Sequence, residues 1–197
     1  MQTNKSQLHV ATATTCLACL GFNFVPVDMA RLVDFKARAY ASSIQYLWAG
    51  KDPNVGSGAI DFKAGIDCSG WFRTLVNYIT HGILDPGDGS YNQGHDLIDL
   101  GFRHFSIGSE SEYLDHATAN DNLFRVGFHW PNGRNGDSVG HVFPIMHDHT
   151  SESYGGHGPG ERPAEHSWFL QHCDLIVVIG PMLEVNQWTN KVLNPYA

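Results

Sequence analysis

The chain has 197 residues, of which 42% are hydrophobic and 12% aromatic, and its formal net charge is −8 at pH 7. A chain of this size and composition can bury a full core, so disorder is not expected. The diffuse acidic excess disfavours nucleic acid and anionic membranes as partners. We expect an N-terminal extension over residues 1–25, one compact domain over residues 26–185 and a C-terminal tail over residues 186–197.

The N-terminal extension carries few signals. Threonines interrupt its apolar stretch and no clear cleavage site follows, so we expect neither a signal peptide nor a membrane span. Cys16 and Cys19 form a single pair, and without a second pair at zinc-finger spacing they are a weak metal signal. Asp28 is the expected N-cap of the first helix of the domain, whose apolar stripe continues to Ile44.

Residues 67–71 contain the clearest chemical signal in the chain. Cys68 follows Asp67 and precedes a helical apolar pattern over residues 71–79, so we expect it at the start of a helix that stops near Gly82. The first turn of a helix has unpaired N–H groups and the positive end of the macrodipole, and both favour a thiolate over a thiol. Cys68 is therefore a candidate nucleophile.

The second signal is His141, which stands in an apolar run over residues 139–146 that predicts a buried strand. Gly140, directly before it, would let a substrate approach closely. An imidazole at this position can pair with a thiolate and later protonate a leaving amine. Residues 150–156 are the expected return strand of a hairpin, and Glu152 is its best-placed acceptor for the second ring nitrogen.

The order of these segments resembles the NlpC/P60 family of papain-like cysteine peptidases. Residues 46–50 are similar to the family's tyrosine-x-tryptophan-glycine-glycine segment, with alanine at the first glycine. Residues 67–71 resemble its nucleophile block, and residues 140–142 resemble its general-base block. The resemblance covers roughly residues 28 to 183. It implies an α+β fold with a papain-like core, in which the nucleophile helix packs on an antiparallel β-sheet.

The same segments are where the resemblance implies contacts with a substrate. We expect these contacts at Tyr46, Trp48, Asp67, Ser69 and Gly140. The backbone N–H of Cys68 and the hydroxyl of Tyr46 are the expected donors to an oxyanion.

Two features depart from the family pattern. The third polar residue of the family is usually a histidine, whereas the aligned stretch here contains Glu152. A carboxylate can also fix the tautomer of the base and stabilise its imidazolium form. His149 and His157 remain alternatives, because the length of the turn sets the register. The family's glycine-aspartate-leucine block is replaced by residues 121–128, which we expect to form a strand.

The other expected elements are simpler. Residues 96–100 and 109–114 predict short helices in a region that would form a wall of the substrate groove. The glycine-rich residues 155–160 predict a surface loop. Residues 173–180, which begin with Cys173, predict an apolar core strand.

The function that the resemblance implies is a cysteine hydrolase that cleaves an amide bond of a peptidoglycan stem peptide, with Cys68 and His141 as the catalytic pair. No cofactor is expected, and the spacing of His147 and His149 at a polar turn fits no helical zinc-hydrolase signature. The alternatives are a papain-like acyltransferase or transamidase that uses the same thioester, and a catalytically silent binding module.

The expected partner is therefore a peptidoglycan peptide, and no cell-wall-binding repeat accompanies the domain. We expect a stand-alone enzyme that reaches the cell wall as a secreted, phage-associated or otherwise delivered protein. The sequence does not point to a particular inhibitor or immunity protein.

Overall fold

A computed structural model describes residues 21–60 and 65–184. The expectations for residues 1–20, with Cys16 and Cys19, and for the C-terminal tail lie outside the described residues. Residues just before the expected start of the domain form backbone hydrogen bonds with the domain. The N–H of Asn23 donates to the carbonyl of Gly101 (3.0 Å), and that of Val25 donates to the carbonyl of Ile179 (2.8 Å).

The described part of the chain contains one seven-stranded sheet. Its strands are β1 (Val27–Asp28), β2 (His104–Ser106), β3 (Leu123–His129), β4 (His141–Met146), β5 (His149–Tyr154), β6 (His157–Pro163) and β7 (Leu175–Leu183). The strand order is β1-β7-β3-β4-β5-β6, and β2 also pairs with β7. Only the β1–β7 pair is parallel among these described strands. The predicted strands at residues 121–128 and 139–146 and the return strand of the hairpin are confirmed.

Helices cover both faces of this sheet. They are α1 (Met29–Ala41), α2 (Cys68–Ile79), α3 (Ser90–Asp99), α4 (Glu110–Ala117) and α5 (Ser167–His172). Side chains of β4 alternate between two core clusters. Val142 and Met146 pack in the cluster that contains α1, α2 and α3, whereas Phe143 and Ile145 pack with α4 and α5. The fold is thus mixed α/β, with an antiparallel-rich sheet between two layers of helices.

Two predicted helix starts are confirmed at the level of single hydrogen bonds. Asp28 caps α1, since its Oδ1 accepts from the N–H groups of Ala30 and Arg31 at 3.0 and 3.1 Å. Asp67 caps α2 by accepting from the N–H of Gly70 at 2.6 Å. Such caps satisfy backbone donors that have no partner inside the helix.

The long apolar face of α2 holds that helix against the sheet. Trp71, Leu75 and Ile79 are fully buried, and the helix packs on β4 and β5. Because α2 begins at Cys68, this packing places the cysteine near His141, the first residue of β4.

Three sequence expectations need correction. The region at 155–160 is not wholly a loop, because β6 begins at His157 and pairs with β5. A Cβ at Gly158 would lie 1.8 Å from the carbonyl oxygen of Ile44, so this glycine permits close backbone packing. The short helix expected at 96–100 is the end of the longer α3. Cys173 does not open β7, since it caps the C-terminus of α5, a helix that was not predicted.

Candidate active site

The loop after α1 is bonded along its length to the segment that leads into α2. The N–H of Ile66 donates to the carbonyl of Gln45 (3.1 Å), and that of Asp67 donates to the carbonyl of Gly50 (3.1 Å). A Cβ at Gly50 would lie 2.6 Å from the nearest backbone oxygen, so the two segments approach closely only because this residue is glycine. The contact brings Tyr46 beside the start of α2.

The carboxylate of Asp67 has a counter-charge that the sequence analysis missed. Nζ of Lys51 lies 2.7 and 2.6 Å from the two carboxylate oxygens and 2.6 Å from Oγ of Ser69. Ser69 in turn donates to Asp67 at 2.9 Å. Because Lys51 balances Asp67, the negative charge next to Cys68 is offset at the helix start. The sequence signal that could have indicated this ion pair is the lysine directly after Gly50.

The cysteine itself is a free thiol and is largely buried, with 7% of its surface exposed. As the first residue of α2, Cys68 has a backbone N–H without an acceptor inside the helix. That N–H lies at the N-terminal end of α2, where the positive end of the helix dipole also lies.

The imidazole of His141 stands at the first position of β4 and contacts a buried carboxylate. Its Nε2 lies 2.5 Å from Oε2 of Glu152. Glu152 is 1% exposed. The ring of Phe143 stacks on the imidazole with the centroids 5.9 Å apart, and the ring of Trp168 meets it edge-on at 5.2 Å. These contacts fix the orientation of the imidazole.

Cys68 is the second ionisable neighbour of the His141 imidazole. Burial lowers the pKa of His141, but the negative charge of Cys68, a hydrogen bond to that side chain and the contact with Glu152 together raise the pKa to about 10. These surroundings therefore favour the imidazolium form of His141 at neutral pH.

Of the three candidates for the third residue, Glu152 is the one that contacts His141. His149 instead has Nε2 2.9 Å from Nζ of Lys36 and Nδ1 2.5 Å from a carboxylate oxygen of the neighbouring Asp148. His157 is exposed, and its ring packs on that of a tyrosine in β5 at 4.9 Å. Within residues 21–60 and 65–184, no group of three or more potential ligands is arranged to hold a metal ion.

Glu152 has a second neighbour that was not expected from the sequence. Nε of Arg162, on β6, lies 3.4 Å from Oε1 of Glu152. The guanidinium also lies over the ring of Tyr154, with Cζ 3.6 Å from the centroid. Arg162 and Trp168 were both missed, because each follows His141 by more than twenty residues and carries no motif.

Two clefts adjoin in this region, one lined by the histidine and the other by the cysteine. The cleft that we call the histidine cleft has a volume of about 340 Å³ and includes His141, Glu152, Tyr154, Arg162 and Trp168. The cysteine cleft has a volume of about 420 Å³ and includes Trp48, Asp67, Cys68, Ser69 and Tyr91. Tyr46 and Gly140 line both clefts. We call the two adjoining clefts together the groove, with the imidazole of His141 in one part and the thiol of Cys68 in the other.

All the residues expected to contact a substrate line this groove, but their polar atoms differ in availability. The oxygens of Asp67 and Ser69 are engaged with Lys51. Tyr46 is half-buried, and burial, followed by the negative charges of Cys68 and Asp67, raises its pKa to about 12. Its hydroxyl is thus protonated at neutral pH and can donate a hydrogen bond.

No family model matches the chain, and no curated protein matches it either. In the described parts of the chain, no helix combines the length and the apolarity that a membrane crossing requires.

Proposed function

We propose that this chain is a cysteine hydrolase with a papain-like core of the NlpC/P60 type, which cleaves an amide bond in a peptidoglycan stem peptide. One observation carries the chemistry: a cysteine at a helix start shares a groove with an imidazole that a buried carboxylate orients. The peptidoglycan substrate is supported by the resemblance of residues 46–50, 67–71 and 140–142 to the family.

The first half of the reaction forms a thioester. The thiolate of Cys68 attacks the carbonyl carbon of the scissile amide, and the carbonyl oxygen becomes an oxyanion. The backbone N–H of Cys68 and the hydroxyl of Tyr46 donate hydrogen bonds to that oxyanion. The imidazolium of His141 gives its proton to the amide nitrogen, the C–N bond breaks and the amine leaves.

The second half releases the acid. The neutral imidazole of His141 takes a proton from a water molecule, whose oxygen attacks the thioester carbon. The C–S bond then breaks, and the enzyme returns to the thiolate–imidazolium pair. Glu152 keeps the imidazole in one tautomer and stabilises its charged form in both halves. Side chains and water supply every group that these steps need.

The test is digestion of defined muropeptides by the whole chain, with mass spectrometry of the products. A stem peptide split at one amide supports the proposal. We expect Cys68→Ala and His141→Ala each to lower turnover by about a thousandfold or more. Circular dichroism spectra that match the wild type would show that each variant remains folded.

His149→Ala is the matched control, because it removes an imidazole from the same hairpin without touching His141, and it should keep wild-type turnover. Acyl or amide adducts in place of acids would indicate transfer instead of hydrolysis. Binding without turnover by the wild type would indicate a silent module. Hydrolysis at the wild-type rate by Cys68→Ala would contradict the mechanism, and strong inhibition by a chelator would indicate a metal.

A further inference from the structure

The histidine cleft contains a cation that the mechanism does not use. Arg162 has 26% of its side chain exposed, and its Nε faces Oε1 of Glu152 at 3.4 Å. In the described residues, its two terminal nitrogens make no hydrogen bond to the protein. A guanidinium has five N–H donors in a planar fork, so most of its donors remain available in this cleft.

The neighbours of Arg162 hold the plane of that fork. Its Cζ lies 3.6 Å from the ring centroid of Tyr154, and its Nε faces Oε1 of Glu152 at 3.4 Å. The edge of the guanidinium that carries the two terminal nitrogens is then available to a ligand. A fixed planar fork matches the two oxygens of a carboxylate, and partial burial strengthens such a charged pair.

The other acidic groups of the histidine cleft lie next to histidines. Glu152 is paired with the imidazole of His141. Asp137 is 56% exposed at its side chain, and its carboxylate lies 3.6 Å from Nε2 of His172. Arg162 therefore has no carboxylate of the described protein on its terminal nitrogens.

The chemistry assigns the two clefts to the two halves of a substrate. His141 must reach the nitrogen of the leaving amine, so the leaving half occupies the cleft that His141 lines. The acyl half stays bonded to sulfur and occupies the cleft that Cys68 lines. Arg162 consequently lies on the side of the leaving amine.

We propose that Arg162 binds a carboxylate on the leaving half, so that the enzyme prefers amides whose leaving amino acid carries a free carboxylate near the scissile bond. This inference rests on the proposed hydrolase function. It adds a substrate feature that the catalytic pair alone does not select.

The experiment compares two substrates that differ in one group. They are the tripeptide L-Ala-γ-D-Glu-L-Lys and the same tripeptide with a C-terminal carboxamide. In both, the scissile bond is the amide that links glutamate to lysine. The wild type should cleave the acid with kcat/KM at least about tenfold above that of the carboxamide, because a charge-assisted pair replaces a neutral contact. In Arg162→Gln, this ratio should fall to about one.

Two variants frame that result. Arg162→Lys keeps the charge but loses the fork, so its acid-to-amide ratio should lie between those of the wild type and Arg162→Gln. Arg103→Gln makes the same charge change at a residue that lines neither cleft, and it should leave the ratio unchanged. A role limited to adjusting Glu152 predicts a different outcome, since both substrates would then slow by the same factor in Arg162→Gln.

A binding measurement separates this inference from the hydrolase proposal. Calorimetry with Cys68→Ala should give tighter binding of the acid than of the carboxamide, and the difference should vanish in Cys68→Ala combined with Arg162→Gln. If the wild type cleaves neither peptide while this difference persists, the carboxylate site stands and the hydrolase proposal fails. Equal binding of the two peptides to Cys68→Ala, or equal slowing of both in Arg162→Gln, overturns the carboxylate site.

Discussion

Nε2 of His141 and Oε2 of Glu152 lie 2.5 Å apart because the hairpin of β4 and β5 has a fixed register. Ile145 pairs with Thr150 and Met146 pairs with His149. Continued along the strands, this register puts Glu152 opposite Phe143, on the face that also carries His141. His149 faces the other side, since successive residues of a strand alternate.

The first prediction concerns the charge of that imidazole. The raised pKa of His141, about 10, means that the imidazolium persists at neutral pH and is lost as the pH rises through that value. Cys68 contributes most to raising this pKa and Glu152 contributes next, so Glu152→Gln should move the basic limb of the kcat/KM profile to lower pH. We expect activity at neutral pH to fall by about a hundredfold, less than for loss of Cys68.

The pH–rate profile of Glu152→Gln should be measured beside that of Glu165→Gln. Glu165 is exposed and lines neither cleft, so its variant should keep the wild-type profile. If Glu152→Gln is silent while His149→Ala or His157→Ala is strongly impaired, the third residue of the site is a histidine.

The second prediction tests the counter-charge of Asp67. Lys51→Met leaves a carboxylate uncompensated at the start of α2, and a negative charge there opposes formation of a thiolate on Cys68. The rate of Cys68 alkylation by iodoacetamide at neutral pH should fall by about tenfold. Peptide mapping by mass spectrometry gives that rate for each cysteine separately.

A double variant identifies the cause. Asp67→Asn keeps a helix-capping side chain but removes its charge, so adding it to Lys51→Met should restore the alkylation rate. Lys36→Met is the matched control, because Lys36 pairs with Glu161 away from the cysteine. A rate that stays low in the double variant would show that Lys51 acts on Cys68 by another route.

The parts of the site that were predictable are those with local signals. The start of α2 follows from a capping residue before an apolar helical pattern, and β4 follows from an apolar run. Glu152 follows from strand alternation once the turn length is known. A turn of two residues, His147 and Asp148, fixes that length.

The rest depends on distances that the sequence does not encode locally. Trp168 reaches His141 from a six-residue helix whose place is set by packing of Phe169 on Phe143. Arg162 lies on β6, and the glycines in the first part of this strand led to the prediction of a loop. Gly158 is there for close backbone approach rather than for flexibility, and one sequence cannot distinguish those two uses.

The third prediction concerns Gly70, in the first turn of α2. A Cβ at this position would lie 2.6 Å from the carbonyl oxygen of Gly50, which is backbone and cannot rotate away. Gly70→Ala should therefore displace the segment that holds Tyr46, and a shift of this size at a reacting centre can cost about a hundredfold in rate. Steady-state kinetics on muropeptides would measure the loss.

The effect of Gly70→Ala on helix propensity separates displacement of the loop from weakening of α2. Alanine favours a helix over glycine by about 1 kcal/mol, so lower activity cannot be attributed to a weaker helix propensity. Gly160→Ala adds the same methyl group where the nearest neighbouring atom is 4.0 Å away, and it should keep normal activity. Unchanged kinetics in Gly70→Ala would mean that the loop of Tyr46 accommodates the shift.

The last prediction isolates the hydroxyl of Tyr46. If it donates to the oxyanion, Tyr46→Phe should lower kcat by about a hundredfold with little change in KM, because the bond matters in the transition state. Tyr91→Phe removes a hydroxyl from an exposed tyrosine of the cysteine cleft and should change little. The pKa of Tyr46, near 12, lies above that of His141, near 10, so the basic limb should stay where it is in Tyr46→Phe. A wild-type kcat in this variant would leave the oxyanion to the backbone N–H of Cys68, with Tyr46 only shaping the groove.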